Sequence, residues 1–415
     1  MLRDALAPEA LNADPPGIEL WRATVSGLCA TLVGIGLARF AYTPLLPAII
    51  QAHWFSAADA GYLGAANLTG YLAGALLAGP VAARASAPAV LRAMMLLTSI
   101  ALLACAWPVN FLWFFGWRLA SGLGGGVLMV LAAPTVLAHV QPARRGIASG
   151  IIFMGIGLGI ASSGSLVPLL LRQGLMQTWS GLAALSFALT ALAWHAWPTR
   201  PAALPPRPAR APGGAASPAG TLHTLYATYA LNAVGLVPHM IFLVDFVARG
   251  LGRGVAAGSG YWVLFGAGAV CGPLVGGLVA DRLGFRLTLR LAFVLQALAA
   301  GLPALQASPA WLAVSCIVMG AFTPGIVGLV LGRLNELLPH QPAAQKYAWA
   351  RATTGFAIFQ AASAYGMSWL LVQIGGRHAL LFMLGAAALL LALAIDLAAG
   401  TPGRPSARIS PSVTP

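Results

Sequence analysis

The 415-residue chain is 59% hydrophobic and only 8% charged, whereas an ordinary soluble domain carries roughly a quarter charged residues. Its formal net charge of +14 would by itself also suit a nucleic-acid-binding protein. Apolar stretches of about twenty residues recur along the chain, and a helix of that length crosses the hydrocarbon core of a bilayer. The composition therefore excludes a soluble domain and predicts an all-α polytopic membrane protein whose solvent is the lipid bilayer.

Twelve apolar spans are predicted, six in each half of the chain. They begin near Arg22, Ala58, Ala89, Phe111, Gly146 and Gln177, and then near Thr221, Ala257, Leu287, Trp311, Tyr347 and Ala379. Residues 22–197 and 221–399 are expected to form two six-helix bundles. Residues 198–220, rich in Pro, Ala and Gly, are expected to link them, and residues 1–21 and 400–415 are expected to be tails.

The two halves share sequence features at a constant offset, which predicts an internal duplication. Gly61-Tyr62 at the start of the second span matches Gly260-Tyr261 at the start of the eighth, roughly 199 residues later. Gln141-Pro142-Ala143 before the fifth span matches Gln341-Pro342-Ala343 before the eleventh. Parallel repeats of this kind are one known plan of secondary transporters, with the solute bound between the halves.

The basic residues indicate an orientation rather than a nucleic-acid partner. Most of the 23 basic residues fall at the tails, the linker and the connections after even-numbered spans. The other side receives Arg172, Arg249, Arg253 and Arg377. By the positive-inside rule both termini are cytoplasmic. Arginine outnumbers lysine 22 to 1, a bias typical of GC-rich bacteria, so the bacterial inner membrane is expected.

The connection after the eighth span carries the most specific motif. It runs Gly277-Leu-Val-Ala-Asp281-Arg282-Leu-Gly284-Phe-Arg286 and resembles the signature GxxxDRxGxR of the major facilitator superfamily. Gly277 permits close helix approach, Gly284 allows a tight turn, and Asp281 can accept from a helix N-terminus or pair with a basic side chain. A gating loop is therefore expected here, the alternative being a charged loop cap without moving parts.

The equivalent loop of the first half departs from that signature. Gly79 and Arg84 match Gly277 and Arg282, but Ala83 occupies the acidic position. Any latch built on the aspartate is therefore expected only in the second half.

The fourth span contains Arg118-xxx-Gly122-xxx-Gly126, which resembles the superfamily pattern RxxxGxxxG. Arginine inside an apolar helix is costly, so it must face a partner or a wet cavity. The resemblance implies a role for Arg118 in proton coupling, and the alternative is a side chain that extends to the helix end. The tenth span has Cys316 and Gly320 at the matching places.

The first span carries Arg39, about seventeen residues from its start, which is too deep for the side chain to reach the cytoplasm. Arg39 is the leading candidate for binding an anionic group or neutralising a carboxylate, and a structural ion pair is the alternative. The first span runs Gly34-Ile-Gly36-Leu-Ala-Arg39-Phe40-Ala-Tyr42-Thr43-Pro44-Leu-Leu-Pro47. Together with residues 61–74 and with Pro238-His239 and Asp245 of the seventh span, it is similar to the YbfB/YjiJ branch of the superfamily. Further substrate or coupling candidates are Tyr42, Asn67, Tyr71, Asn232, His239 and Asp245.

Two arrangements of Asp245 are open at the sequence level. A wet relay could join Arg39, His239 and Asp245, although Asp245 is placed roughly 10 Å further along the helix than Arg39. Alternatively, Asp245 caps the outer helix end beside Arg249.

The sequence favours a secondary transporter that moves a small organic solute by alternating access, coupled to protons. Glycines of the fifth span partly resemble those of antiporters, which admits export as one direction. An intramembrane enzyme and a transport-dead sensor are the competing functions. The seven histidines are scattered over both faces, which predicts no catalytic cluster, metal site or cofactor. Oligomeric state has no sequence signal.

Overall fold

The computed structural model describes residues 16–141, 145–198, 219–305, 308–339 and 341–399, and these residues are helical without strands. Twelve helices are long and apolar enough to span a membrane. They are α1 (Leu20–Gln51), α2 (Ala57–Ala82), α3 (Ala87–Ala104), α4 (Phe111–Leu137), α5 (Ala148–Leu171), α6 (Leu175–Ala193), α7 (Gly220–Gly250), α8 (Gly254–Leu283), α9 (Phe285–Leu305), α10 (Pro309–Leu337), α11 (Tyr347–Gln373) and α12 (Ala379–Ala398).

The predicted span starts are confirmed to within three residues, the largest difference being Gly254 instead of Ala257. This agreement follows because hydropathy is a local property of the chain. Most of the predicted tails and linker, residues 1–15, 199–218 and 400–415, lie outside the described residues, as does Arg144.

The helices pack as two bundles with the same internal arrangement. In the first bundle α4 packs on α2 and α3, α6 packs on α3, and α1 packs on α5 and α6. In the second bundle α10 packs on α8 and α9, α12 packs on α9, and α7 packs on α11 and α12. Between bundles α5 meets α8 and α2 meets α11. The equivalent pairs support the internal duplication.

One glycine in each bundle allows the closest helix approach. A Cβ atom added at Gly122 of α4 would collide with the backbone carbonyl of Asn67 in α2. A Cβ atom added at Gly320 of α10 would collide in the same way with the carbonyl of Phe265 in α8. Small residues are used at membrane helix interfaces because packing and interhelical polar contacts drive association there.

The central helices α1 and α7 are irregular near mid-depth. A π-helix, Leu32–Leu37, interrupts α1, and a turn separates it from the α-helix Tyr42–Gln51. Helix α7 contains the π-helices Pro238–Phe242 and Phe246–Gly250. Such π segments widen the helix locally and are frequent at functional sites. Arg39 lies two residues after the last residue of the π-helix of α1.

Burial along α1 and α7 differs between the two membrane faces. Because twelve spans cross, both ends of the described chain and the loops α2–α3 and α8–α9 lie at one face, here named the terminal face. Residues 40–47 of α1 and 235–248 of α7, nearer the opposite face, are all buried. Toward the terminal face, α1 has partly exposed residues up to Arg39 and α7 up to Val234.

Contacts between the bundles agree with this difference. An added Cβ at Gly61, near the opposite face, would meet Ser368 of the other bundle. The structure is therefore closed at the opposite face and open at the terminal face down to the level of Arg39.

Candidate functional site

Arg39 connects the two bundles at the closed end of this opening. Its Nη2 donates to Oε1 of Gln360 in α11 at 2.6 Å. The guanidinium carbon lies 5.2 Å from the ring centroid of Phe40 and 5.3 Å from that of Tyr71. The Nε atom is buried and has no hydrogen-bond partner among the described residues. Arg39 therefore has one neutral hydrogen-bond partner across the interface, the Gln360 amide, and its Nε–H remains available to donate a further hydrogen bond.

Gln360 is positioned for this contact by α7. Its Nε2 donates to Sδ of Met240 at 3.5 Å, which leaves the amide oxygen toward Arg39. The sequence indicates Gln360 only as one of several polar groups on helices that can line a cavity, and it does not pair Gln360 with Arg39, because the two residues are 321 positions apart. No local pattern could have paired them.

Arg118 lies against the same part of α1 but is held by backbone atoms. Its Nη1 donates to the carbonyl of Ala38 at 2.6 Å, and its Nε donates to the carbonyl of Leu63 at 3.4 Å. The guanidinium carbon is 4.3 Å from the ring centroid of Tyr42, and the residue is 2% exposed. The side chain thus ties α4 to α1 and α2 and does not extend to a helix end.

Two further candidates pack within the first bundle. The Tyr42 hydroxyl donates to the carbonyl of Ala60 at 2.6 Å. The Asn67 amide donates to Ser121 Oγ at 2.9 Å and to the carbonyl of Arg118 at 3.3 Å. Both side chains join α2 to its neighbours, whereas Tyr71 places its ring beside Arg39.

Arg39 and Arg118 both line a small void. It offers about 10 Å³ to the centre of a water-sized sphere, which is close to the room that one water molecule needs. Its lining contains two cations and no carboxylate, and consists of Arg39, Phe40, Tyr42, Thr43, Gly64, Leu68, Arg118, Met240 and Ile241.

His239 and Asn232 of α7 contact other helices of their own bundle and do not contact Arg39. Ser315 Oγ donates to the carbonyl of Ala299 at 2.6 Å and lies 2.8 Å from His239 Nε2. The hydroxyl oxygen therefore accepts from Nε2–H, which leaves Nδ1 as an acceptor. Nδ1 is buried without a partner in the described part of the chain. Asn232 donates to Gln296 Oε1 at 2.9 Å.

Asp245 forms a buried charged cluster near the opposite face. Its side chain is 1% exposed, and its Oδ2 accepts from His378 Nε2 at 2.7 Å and from Arg249 Nη2 at 2.6 Å. Arg249 Nε also donates to Oδ1. The structure thus brings Asp245 to Arg249, as one of the two sequence interpretations had it, and adds His378. It does not bring Asp245 or His239 into contact with Arg39.

The gating-loop motif is held by an acid that sequence reasoning missed. Gly284 adopts φ +79° and ends α8, as its tight-turn role predicts. Glu336 of α10 accepts from the backbone N–H of Phe285 at 3.2 Å and from Arg333 at 2.7 Å. Asp281 is exposed and forms no hydrogen bond or ion pair with any residue that the structure describes.

The remaining motif residues lie at the terminal face. The prediction that Gly277 permits close helix approach is wrong in this structure, because an added Cβ at Gly277, as at Gly79, would meet nothing within 4 Å. Arg84 and Arg282 are exposed. Arg286 lines a surface cavity between α7, α9, α10 and α12 together with Arg333 and Asp396.

Structural comparisons find solved structures with the same fold. A bacterial homologue of the human lysosomal transporter Spinster, in an inward-facing and occupied conformation, matches with a TM-score of 0.69 and 16% identity, over 93% of this chain and 97% of that one. The nucleoside transporter NupG matches with a TM-score of 0.74 and 15% identity, over 91% and 100%. The D-xylose-proton symporter matches at 0.65 and 14% identity, over 89% and 96%.

Sequence comparisons give shorter matches to curated transporters. The 4-hydroxybenzoate transporter PcaK of Pseudomonas aeruginosa is 33% identical over 165 residues, which is 38% of this chain and 36% of that protein. PcaK of Acinetobacter baylyi is 30% identical over 164 residues, 39% and 35% of the two chains. The chain thus aligns with about a third of the length of these relatives.

A family model gives the longest sequence match. Its description is "Uncharacterised MFS-type transporter YbfB", and it covers residues 31–397. That range includes all twelve spans except the first turns of α1 and the last residue of α12. The resemblance noted in the sequence is confirmed, and the chain belongs to the YbfB family of major facilitator superfamily transporters.

Proposed function

We propose that this protein is a secondary active transporter that moves a small organic solute by alternating access and couples the movement to protons. The observation that carries the proposal is the contact between Arg39 and Gln360. It joins the two bundles at mid-depth, at the closed end of an opening that reaches only one face. A group at that position can bind solute from one face and release it to the other when the bundles rock.

The orientation that we propose puts the terminal face in the cytoplasm of a bacterial cell, with the protein in the inner membrane. Arg84, Arg92, Arg282 and Arg290 belong to helix ends or loops at the terminal face. Cytoplasmic connections of membrane proteins carry such an excess of basic residues. In this orientation the structure faces inward.

Proton coupling is supported by the Asp245 cluster. The carboxylate faces Arg249 from its own helix and His378 from the loop before α12. Histidine is the side chain whose charge changes most readily near neutral pH. Protonation of the Asp245 carboxylate would weaken its ion pairs with Arg249 and His378. It would thereby weaken the contact between α7 and the start of α12 at the closed face. Arg118 and His239 remain additional coupling candidates.

A small organic solute is supported by the names of the partial relatives. Two of them are 4-hydroxybenzoate transporters. These names support a solute of small size and do not identify it.

Proteoliposomes that hold a pH-sensitive dye test the function. The purified full-length protein is reconstituted, and a broad panel of metabolites and drugs is applied with and without a pH gradient. We expect at least one solute to move and the lumenal pH to change with it, in import or export. Protein-free liposomes and the Arg39→Ala variant are the controls. If no solute moves with or against protons, the coupled-carrier proposal fails.

A further inference from the structure

We propose that the solute is an organic anion whose carboxylate binds Arg39 in place of the Gln360 amide. This inference rests on the proposed transport function and specifies the chemical class of its solute. It predicts that charge, rather than the shape of the solute alone, decides binding.

The first support is the balance of charge at mid-depth. Two guanidinium groups, those of Arg39 and Arg118, line one void. The acids whose side chains the structure describes all lie toward span ends, and none pairs with either arginine; they are Asp59, Asp245, Asp281, Glu336 and Asp396. Charge inside a bilayer is costly unless it is paired or hydrated. An anionic solute supplies the counter-charge that the described side chains do not.

The second support is the different use of the two arginines. Arg118 is 2% exposed, and its Nε and Nη1 atoms donate to backbone carbonyls of the first bundle. Arg39 is partly exposed, and its Nη2 donates to a neutral amide oxygen. Its Nε is buried without a partner among the described residues. A guanidinium group presents paired N–H donors that match the two oxygens of a carboxylate.

The third support is the role of Gln360 in that pairing. Its amide oxygen accepts from Arg39 as a carboxylate oxygen would, but without the charge. A charge-assisted hydrogen bond is stronger than a neutral one, so a carboxylate that reaches Arg39 can replace the amide. Exchange of Gln360 for solute also breaks a link between the bundles and thereby joins binding to movement.

The aromatic side chains nearby indicate the body of the solute. Phe40 and Tyr71 flank the guanidinium group of Arg39. Phe356 lies one turn from Gln360 toward the terminal face, is partly exposed, and packs against Tyr229 with ring centroids 4.5 Å apart. An apolar or aromatic carboxylate therefore fits the path to Arg39 better than a heavily hydroxylated one.

Binding to the purified full-length protein in detergent tests the solute class without requiring transport. A panel of small aliphatic and aromatic carboxylates, including benzoate, is compared with the corresponding neutral amides, including benzamide. Thermal unfolding and isothermal calorimetry report binding. We expect at least one acid to bind at least about tenfold more tightly than its amide, the scale of one charge-assisted hydrogen bond. Equal or tighter binding of the amides, or no binding by any acid, overturns the inference.

Substitutions at Gln360 test the displacement. Gln360→Glu places a fixed carboxylate on Arg39, and we expect it to weaken binding of the best acid at least about tenfold. Gln360→Ala removes the competing amide, and we expect it to leave that affinity unchanged or higher. Arg92→Gln, which alters an arginine stacked on Trp194 outside the site, is the control for net charge. Unchanged affinity in Gln360→Glu overturns the displacement by a carboxylate.

The transport assay separates this inference from the proposed function. If proteoliposomes move neutral solutes and exclude acids, the transporter stands and the anion inference fails. If acids bind to the purified protein and no solute crosses the membrane, the reverse holds.

Discussion

Arg39 and Arg118 share one void, yet their guanidinium groups have different partners. Arg118 donates to carbonyls of its own bundle, and Arg39 donates across the interface to Gln360. A contact within a bundle can persist while the bundles move. A contact between bundles must break if they separate. We therefore expect substitution of Arg39 to affect transport and substitution of Arg118 to affect stability.

For Arg39 we predict loss of transport with intact folding. Arg39→Ala removes the donors at the closed end of the opening, and the rest of the bundle interface stays in place. Uptake or efflux in proteoliposomes should fall to the level of protein-free liposomes, while membrane insertion and thermal unfolding stay close to wild type. Normal transport by the variant would remove Arg39 from the mechanism.

For Arg118 we predict loss of stability. Arg118→Gln deletes the donor to the Ala38 carbonyl and the cation above Tyr42. A hydrogen bond to a charged group contributes about 1.5–3 kcal/mol, so unfolding should occur at a clearly lower temperature in detergent. Arg172→Gln, which changes the charge of an exposed arginine at the opposite face, provides the matched control. A wild-type unfolding temperature in Arg118→Gln would show that the contacts of Arg118 with α1 and α2 do not stabilise the protein.

At the scale of helices, close packing depends on equivalent glycines of the two bundles. We predict that Gly122→Ala and Gly320→Ala each destabilise the protein by about 1–3 kcal/mol, because a Cβ atom meets backbone that cannot move aside. At Gly116 of α4 and Gly328 of α10, an added Cβ atom would meet nothing within 4 Å. Gly116→Ala and Gly328→Ala should be neutral or slightly stabilising, since alanine is the better helix former. Equal effects in all four variants, measured by thermal unfolding, would contradict the packing argument.

The irregular segments of α1 and α7 belong to the same scale. Two of the three π-helices lie beside a residue that contacts the other bundle: Arg39 follows one in α1, and Met240 lies within one in α7. The Met240 carbonyl accepts from the Thr43 hydroxyl, and its sulfur accepts from Gln360. The contacts around Arg39 therefore depend on the π-helical backbone of both central helices.

At the scale of the whole molecule, the structure is closed at the opposite face and open at the terminal face. Gly61 of α2 and Ser368 of α11 meet across the bundles at the closed face. A carrier that alternates must separate them during each cycle. A permanent link between them should therefore stop transport.

We predict that the double variant Gly61→Cys with Ser368→Cys is inactive when oxidised and active again after reduction. An added Cβ at Gly61 lies 2.7 Å from Ser368 Cβ. A disulfide needs a separation of about 3.8 Å, so the helices must part by roughly 1 Å. Cys271, which is exposed, is replaced by Ser in the background, and the two single variants are controls. Transport by the fully cross-linked protein would contradict alternating access.

The amino-acid sequence by itself determined the twelve spans, the duplication and the two arginines at mid-depth. Span positions follow from local hydropathy, and equivalent motifs such as Gly79 and Gly277 reveal the repeat without any contact being known. Arg39 and Arg118 stood out because a charge in an apolar segment is costly wherever the helix packs.

Only the tertiary structure decided which groups these residues contact. Gln360 reaches Arg39, His378 reaches Asp245 and Glu336 reaches the start of α9, each from a different segment of the chain. These contacts depend on helix rotation, on the π segments and on the approach distances set by glycines such as Gly122. No periodicity in one segment encodes them, because each is a property of two helices packed together.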